Sequence, residues 1–267
     1  MVSRTLDCPW PSSAPDPRPT FSDASAGAAT VLGMIGSVRD ARVLVVMMAL
    51  SVACGFDGYE NLASNAACDP ASSDFSTDID NPFFPLPVGH QVVLEGEEGS
   101  THLLVRITSL DETETVAGVE TRVVEEFESK DGTVVEISRN FFAQATDGTV
   151  CYFGEDVDIF DSGGNVTSHS GEWRAGEGEN QPGIFMPPSL EVGVAFQQEI
   201  APGIAEDQAM VVALGESTDV PAGTFDDTVT MEDGSPLDGG TGTKVYARGI
   251  GLIVDGPARL TRYSASS

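Results

Sequence analysis

Thr101-His102-Leu103-Leu104-Val105-Arg106-Ile107-Thr108 decides the fold, because it alternates with a period of two. Leu103, Val105 and Ile107 project to one side and His102, Arg106 and Thr108 to the other, the mark of a half-buried strand. Similar runs follow over about residues 116–128, 133–144, 149–160 and 165–174. Between them stand Asp131-Gly132, Asp147-Gly148 and Asp161-Ser162-Gly163-Gly164-Asn165. Asp-Gly between two alternating runs signals a hairpin, since both central residues of a type I′ turn need positive φ. Further strands are expected near 194–200, 208–216, 225–232, 242–248 and 250–263, beyond a Pro- and Gly-rich loop from Gly176 to Pro188. No helix of more than two turns is expected. Consecutive hairpins predict an all-β, antiparallel up-and-down meander in a strongly curved or barrel-like sheet, with a two-sheet β-sandwich as the alternative.

Upstream, Asp80-Asn81-Pro82-Phe83-Phe84-Pro85-Leu86 opens the ordered part. Its prolines forbid helix, and its two phenylalanines are expected to act as plugs. Residues 80–267 are thus read as one β domain.

Further back, Met34 to Ala53 has the layout of an export signal. Arg39 and Arg42 give a positive flank, Val43 to Leu50 an apolar run, and Ser51-Val52-Ala53 the small residues that a signal peptidase reads. The run is too short to remain as a membrane span, which needs about 20 residues. Cys54 follows the expected cut and resembles the lipidated cysteine of a bacterial lipobox, although Ser51 stands where leucine is usual. Lipidation at Cys54 is expected, with free secretion or a periplasmic location as the alternative. Residues 1–33 read as a disordered upstream extension ahead of the signal, outside the translated or mature protein. Residues 54–79, rich in Asn, Ser and Asp, read as a flexible tether.

The chain of 267 residues has 13 Lys+Arg against 42 Asp+Glu, a formal charge of −29. The four arginines and four aspartates before Cys54 cancel, so the mature part keeps the whole excess. Such a surface repels phosphate backbones, and no nucleic-acid partner is expected. The expected partners are the membrane, through the lipid, and a small-molecule ligand or another envelope component. Of the four cysteines, Cys8 precedes the signal and Cys54 sits at the cut. Cys68 and Cys151 remain, and an oxidising compartment allows them to form a disulfide or to stay as thiols.

A resemblance attaches to the motif series DNPFFPL (80–86), CYFGEDVD (151–158), GEWRAG (171–176), QPGIFMP (181–187), VPAGTF (220–225) and VYARGIGLI (245–253). In type and order it is similar to an uncharacterised group of bacterial secreted proteins and lipoproteins. Cys151 stands where that group has Trp, and Arg248 where it has Pro. The resemblance implies an exported β protein and carries over no catalytic residue.

Motifs for chemistry are sparse. There is no G-x-S-x-G elbow, and His90, His102 and His169 have no triad-like spacing. C-x-x-C and H-E-x-x-H zinc patterns are lacking as well. On a regular strand Asp156 and Asp158 share a face with Tyr152, while Glu155 lies on the other with Cys151, Phe153 and Val157. Arg139 is expected opposite Asp156 as a cross-strand ion pair, given a two-residue turn with Thr146 opposite Thr149. Glu172 and Trp173 would extend the patch, and Ile184, Phe185 and Met186 would either edge a loop or tuck into the sheet. The expected ligand site therefore comprises Phe153, Glu155, Asp156, Asp158, Glu172, Trp173, Phe185 and Met186. No cofactor is expected. Asp156 to Asn165 fails the EF-hand pattern because Phe160 takes the third ligand position, leaving calcium only a site of other geometry.

Three functions compete. The leading one is a lipid-anchored, non-enzymatic envelope protein binding a small apolar or amphipathic ligand. The others are a secreted hydrolase using paired carboxylates, which predicts facing acids of raised pKa in a cleft, and a structural or adhesive envelope protein.

Overall fold

The computed structural model describes residues 56–264. The extension, the signal and Cys54 lie outside the described residues. Sixteen antiparallel strands form one nearly closed, barrel-like sheet, and the only helical element among the described residues is a 3-10 turn, Ala66–Cys68. In chain order the first strands are β1 (Phe75–Ser76), β2 (Gln91–Glu98), β3 (Thr101–Val116), β4 (Val119–Lys130), β5 (Thr133–Ala145) and β6 (Val150–Phe160). The short β7 (Val166–Ser168), β8 (Trp173–Arg174) and β9 (Gln181–Met186) all pair with β6. Next come β10 (Ala195–Gln197), β11 (Glu199–Ile200), β12 (Gln208–Val220), β13 (Gly223–Gly234), β14 (Thr241–Ala247), β15 (Gly251–Asp255) and β16 (Ala258–Tyr263).

Hairpins carry the sheet from β2 to β6 and from β12 to β16, and β16 returns to β2 to join the two runs. Closure comes from a single extended stretch. Residues 195–197 pair with β12 and residues 199–200 with β9, so the two ends of the strand path are consecutive in sequence. Gly183 permits this approach: a Cβ there would meet the Gln198 carbonyl oxygen at 2.1 Å.

Several expectations change. Residues 56–79 are not a free tether. Phe56 donates its N–H to the Gly239 carbonyl and Ala63 to that of Ala195, β1 pairs with β5, and Ile79 is buried. Cys68, fully buried, is disulfide-bonded to Cys151 with the Cα atoms 5.5 Å apart. Polar composition had concealed a few apolar anchors spaced widely along an extended segment. The loop expected from Gly176 to Pro188 contains β9, with Ile184 opposite Cys151 and Met186 opposite Val150. The stretch 250–263 is two strands, and Gln91–Glu98 is a strand that the alternation around Leu103 left unread.

The opening motif plugs the barrel. Asn81, buried, donates through Nδ2 to the carbonyls of Gly148 and Pro187, while Gln144 Oε1 accepts from the N–H groups of Asp80 and Asn81. Those bonds fix the chain so that Phe84 enters the interior, where its ring lies 5.3 Å from that of Phe142 and 4.5 Å from that of Phe185. Phe83 stays half-buried beneath the Arg248 guanidinium.

Candidate functional site

The barrel holds a cavity of about 180 Å³. Its wall is built from alternate residues of neighbouring strands. β4 contributes Val124 and Glu126, β5 contributes Glu136, Ser138, Asn140 and Phe142, and β14 contributes Lys244 and Tyr246. Ile107 comes from β3, Leu252 and Asp255 from β15, and Phe84 and Phe185 complete an aromatic cluster. The closing stretch adds Gln198 and Glu199, and Asp207 follows it.

From β6 come Tyr152 and Glu155, whose spacing would place them on opposite faces of a regular strand. Gly154, at φ 121°, absorbs one residue as a bulge, and the pairing shifts between Asn140 opposite Glu155 and Phe142 opposite Tyr152. Only glycine fits there, since a Cβ would meet the Trp173 carbonyl oxygen at 2.2 Å. A polar chain steadies this wall: the Tyr152 hydroxyl donates to Asn140 Oδ1, and Asn140 Nδ2 donates to Ser138 Oγ and the Val124 carbonyl.

The lumen is acidic. Six carboxyls line it against a single base, Lys244. These carboxyls keep some surface open to the cavity, yet protein surrounds them closely enough to desolvate their charged forms. Burial, reinforced by the Glu126 charge, pushes the Glu136 carboxyl up to about 7. Burial and neighbouring Asp207 push Glu199 up to about 8. Glu155 is raised well above the usual carboxylate range by burial and by Glu199, and Glu126 is shifted upward by burial and Asp255. Glu128, just beyond the cavity wall, is raised by burial and by Glu126 and Glu136. Lys244 is held protonated chiefly by Asp233, 3.4 Å away, outweighing its own desolvation. No three of the described His, Cys, Asp and Glu side chains converge as a group able to hold a metal ion.

Compared with models of protein families, with curated proteins and with solved structures, the chain matches none.

Of the residues expected at a ligand site, Glu155 and Phe185 line the cavity. Trp173 reaches it at one remove. It is buried behind the wall, edge-on to Tyr152 with ring centroids 5.5 Å apart, and its Nε1 donates to Glu199 Oε1 at 3.4 Å. Phe153 and Met186 do not line it. Both are fully buried, and Phe153 packs edge-on against Phe75. Asp156, Asp158 and Glu172 lie outside the cavity; Asp158 and Glu172 flank His169 at the surface.

The Arg139–Asp156 ion pair is not made. The two residues do stand opposite one another, but through a longer turn, with Ala145 facing Thr149, whose extra residue the Gly154 bulge offsets. Arg139 instead pairs with Glu112, and Asp156 accepts both Nε–H and Nη2–H donors from Arg174. Arg174 wins because β8 pairs directly with β6 and lays its guanidinium over the Phe141 ring.

The sequence reading missed Glu126, Glu136, Glu199, Asp207, Lys244 and Asp255. The available signal was Glu126 and Glu128 alternating with Phe127, together with Lys244 as one of only two lysines in the chain.

Proposed function

We propose that this chain is an exported, lipid-anchored, non-enzymatic protein of the bacterial cell envelope whose barrel lumen binds a small amphipathic ligand. The export reading draws on the signal from Met34 to Ala53, on Cys54 and on the resemblance of the motif series to secreted proteins and lipoproteins. The observation that carries the binding reading is the cavity itself, in which clustered rings of Phe84, Phe142 and Phe185 share a wall with ionisable groups. Concave sites that join apolar and aromatic walls to convergent polar groups are what small molecules occupy, and this one is rich in the polar groups. At about 180 Å³ the space is close to that of an engineered cavity of about 150 Å³ that holds benzene, so the ligand is small.

Two experiments test the proposal. Intact mass of the membrane fraction should carry a diacylglyceryl increment that Cys54→Ala removes; an unmodified soluble chain would refute the anchor. For the lumen, 2-phenylethanol and phenethylamine serve as amphipathic probes in thermal unfolding. At least one should raise Tm, and Ser138→Leu, which fills the cavity, should abolish the rise. No response to either probe would refute lumen binding.

A secreted hydrolase is the second reading, favoured by Glu136 at about 7 and Glu199 at about 8 lining the same cavity. Such carboxyls exchange protons near neutral pH, as a general acid and base must. Glycoside hydrolysis sets two carboxyls roughly 5 to 9 Å apart across the scissile bond. Turnover of nitrophenyl glycosides, lost in both Glu136→Gln and Glu199→Gln, would establish this reading, and no turnover by the unaltered chain would dismiss it.

A further inference from the structure

We infer that the lumen's ligand is a small organic cation, a protonated amine carrying a short apolar or aromatic body. The inference rests on the reading of the lumen as a ligand site and names the ligand's class.

Charge is the first ground. Glu126, Glu136, Glu155, Glu199, Asp207 and Asp255 face the cavity, while its one base, Lys244, is already engaged by Asp233. A cation bound among these carboxyls compensates the ionised form that burial disfavours, which neither an anionic nor a neutral ligand can do.

The second ground is independent of charge. Tyr246 is 2% exposed and lines the cavity, and no described residue bonds to its hydroxyl, which is left open to the lumen. Buried phenols normally find a hydrogen-bond partner. Its oxygen is free to accept and its O–H to donate, so a polar group of a guest belongs there.

Aromatic lining is the third. The Phe142 ring lies 4.7 Å from that of Tyr152 and 4.9 Å from that of Phe185, a surface that suits an apolar body and the face of a cation alike. Glu155 and Glu199 adjoin it: both line the same cavity, Glu155 on the strand of Tyr152, and Glu199 Oε1 accepts from Nε1–H of Trp173, whose ring stands edge-on to Tyr152. The ammonium group is placed at these two carboxyls, away from Lys244's closest partner. A metal ion is the poorer fit, since it needs several oxygens converging at about 2.3–2.6 Å, and no such group of side chains exists among the described residues.

The test is isothermal titration of the full-length protein at pH 7.5 with phenethylamine, 2-phenylethanol and calcium chloride. Phenethylamine should bind, and the neutral alcohol should bind roughly 10- to 100-fold more weakly, the factor for losing one charge-assisted hydrogen bond. Glu155→Gln and Glu199→Gln should each weaken the amine by a similar factor. Glu155→Asp should retain part of the affinity, and Glu172→Gln, at the surface, should leave it unchanged. Because the bound cation favours ionised carboxylates, protons should be released, seen as heat that varies with the buffer. Equal affinity for amine and alcohol would overturn the cationic class and leave lumen binding standing. Calcium bound in place of the amine, and lost in Glu155→Gln, would overturn it in favour of a metal. No binding of any probe would overturn both the inference and the reading beneath it.

Discussion

Tyr152 and Glu155 face the same lumen although they stand an odd three positions apart, because Gly154 takes up the extra residue as a bulge at φ 121°. The bulge aims a carboxyl into the cavity that a regular strand would have turned outward. Gly154→Ala combines an unfavourable backbone region with a Cβ 2.2 Å from the Trp173 carbonyl oxygen. It is expected to destabilise the fold by roughly 3 kcal/mol. Urea unfolding measures this, and an unchanged midpoint would mean that the bulge is dispensable.

The Cys68–Cys151 bond ties the leading segment to β6 across 83 residues. Closing so long a loop in the unfolded chain corresponds to about 4.5 kcal/mol of stabilisation in the chain-entropy account. Cys68→Ala with Cys151→Ala should lower the urea midpoint accordingly, and reductant should do the same to the unaltered protein. If reductant shifts the midpoint and the double variant does not, the effect lies elsewhere than in this bond.

The meander was legible because Leu103, Val105 and Ile107 alternate cleanly and Asp-Gly pairs mark the hairpins; the same pattern misled about the lumen. Alternation identifies two faces without saying which is enclosed, and in β4 the expected polarity is inverted. Glu126 lines the cavity and Glu128 is buried near it, while Phe127 sits on the other face under the Arg106 guanidinium at 4.4 Å. An interior that keeps polar groups breaks the rule that apolar residues point inward. Trp173 and Phe185 were found near the site because aromatic residues on a β scaffold have few other places to go. Asp207, Lys244 and Asp255 arrive from far along the chain: the β16–β2 pairing joins the strands of Lys244 and Asp255 to that of Glu126, and Asp207 follows the closing stretch 195–200. No local pattern encodes that meeting.

Stability should fall as pH rises from 5 to 8. Glu136, at about 7, and Glu199, at about 8, sit above the ordinary value of 4.5, so between these limits the folded chain binds more protons than the unfolded one. Stabilisation is then complete below about pH 4.5 and is lost as pH climbs through 7 to 8. Glu126, Glu128, Glu155 and Asp255 are shifted in the same direction. Glu136 alone should contribute on the order of 2–3 kcal/mol. Urea midpoints at pH 5 and pH 8 decide the matter, and a higher midpoint at pH 8 would contradict the burial of these acids.

Lys244 gives the sharpest contrast with pH. Its Nζ lies 3.4 Å from Asp233 Oδ2, while Asp233 Oδ1 is buried without any hydrogen-bond partner. Lys244→Met keeps most of the apolar stem and deletes the one positive charge facing the lumen. At pH 8 the carboxylates around it would be left uncompensated, at a cost of about 3 kcal/mol, the usual scale for breaking a buried pair from one side. At pH 5 the raised lumen carboxyls hold their protons, so the substitution should cost less there, the lost Asp233 contact being common to both pH values. Urea unfolding of both proteins at the two pH values separates the lumen acids from the rest: equal losses at pH 5 and pH 8 would assign the effect to the lysine stem and its Asp233 contact and deny Lys244 a role in compensating the lumen carboxylates.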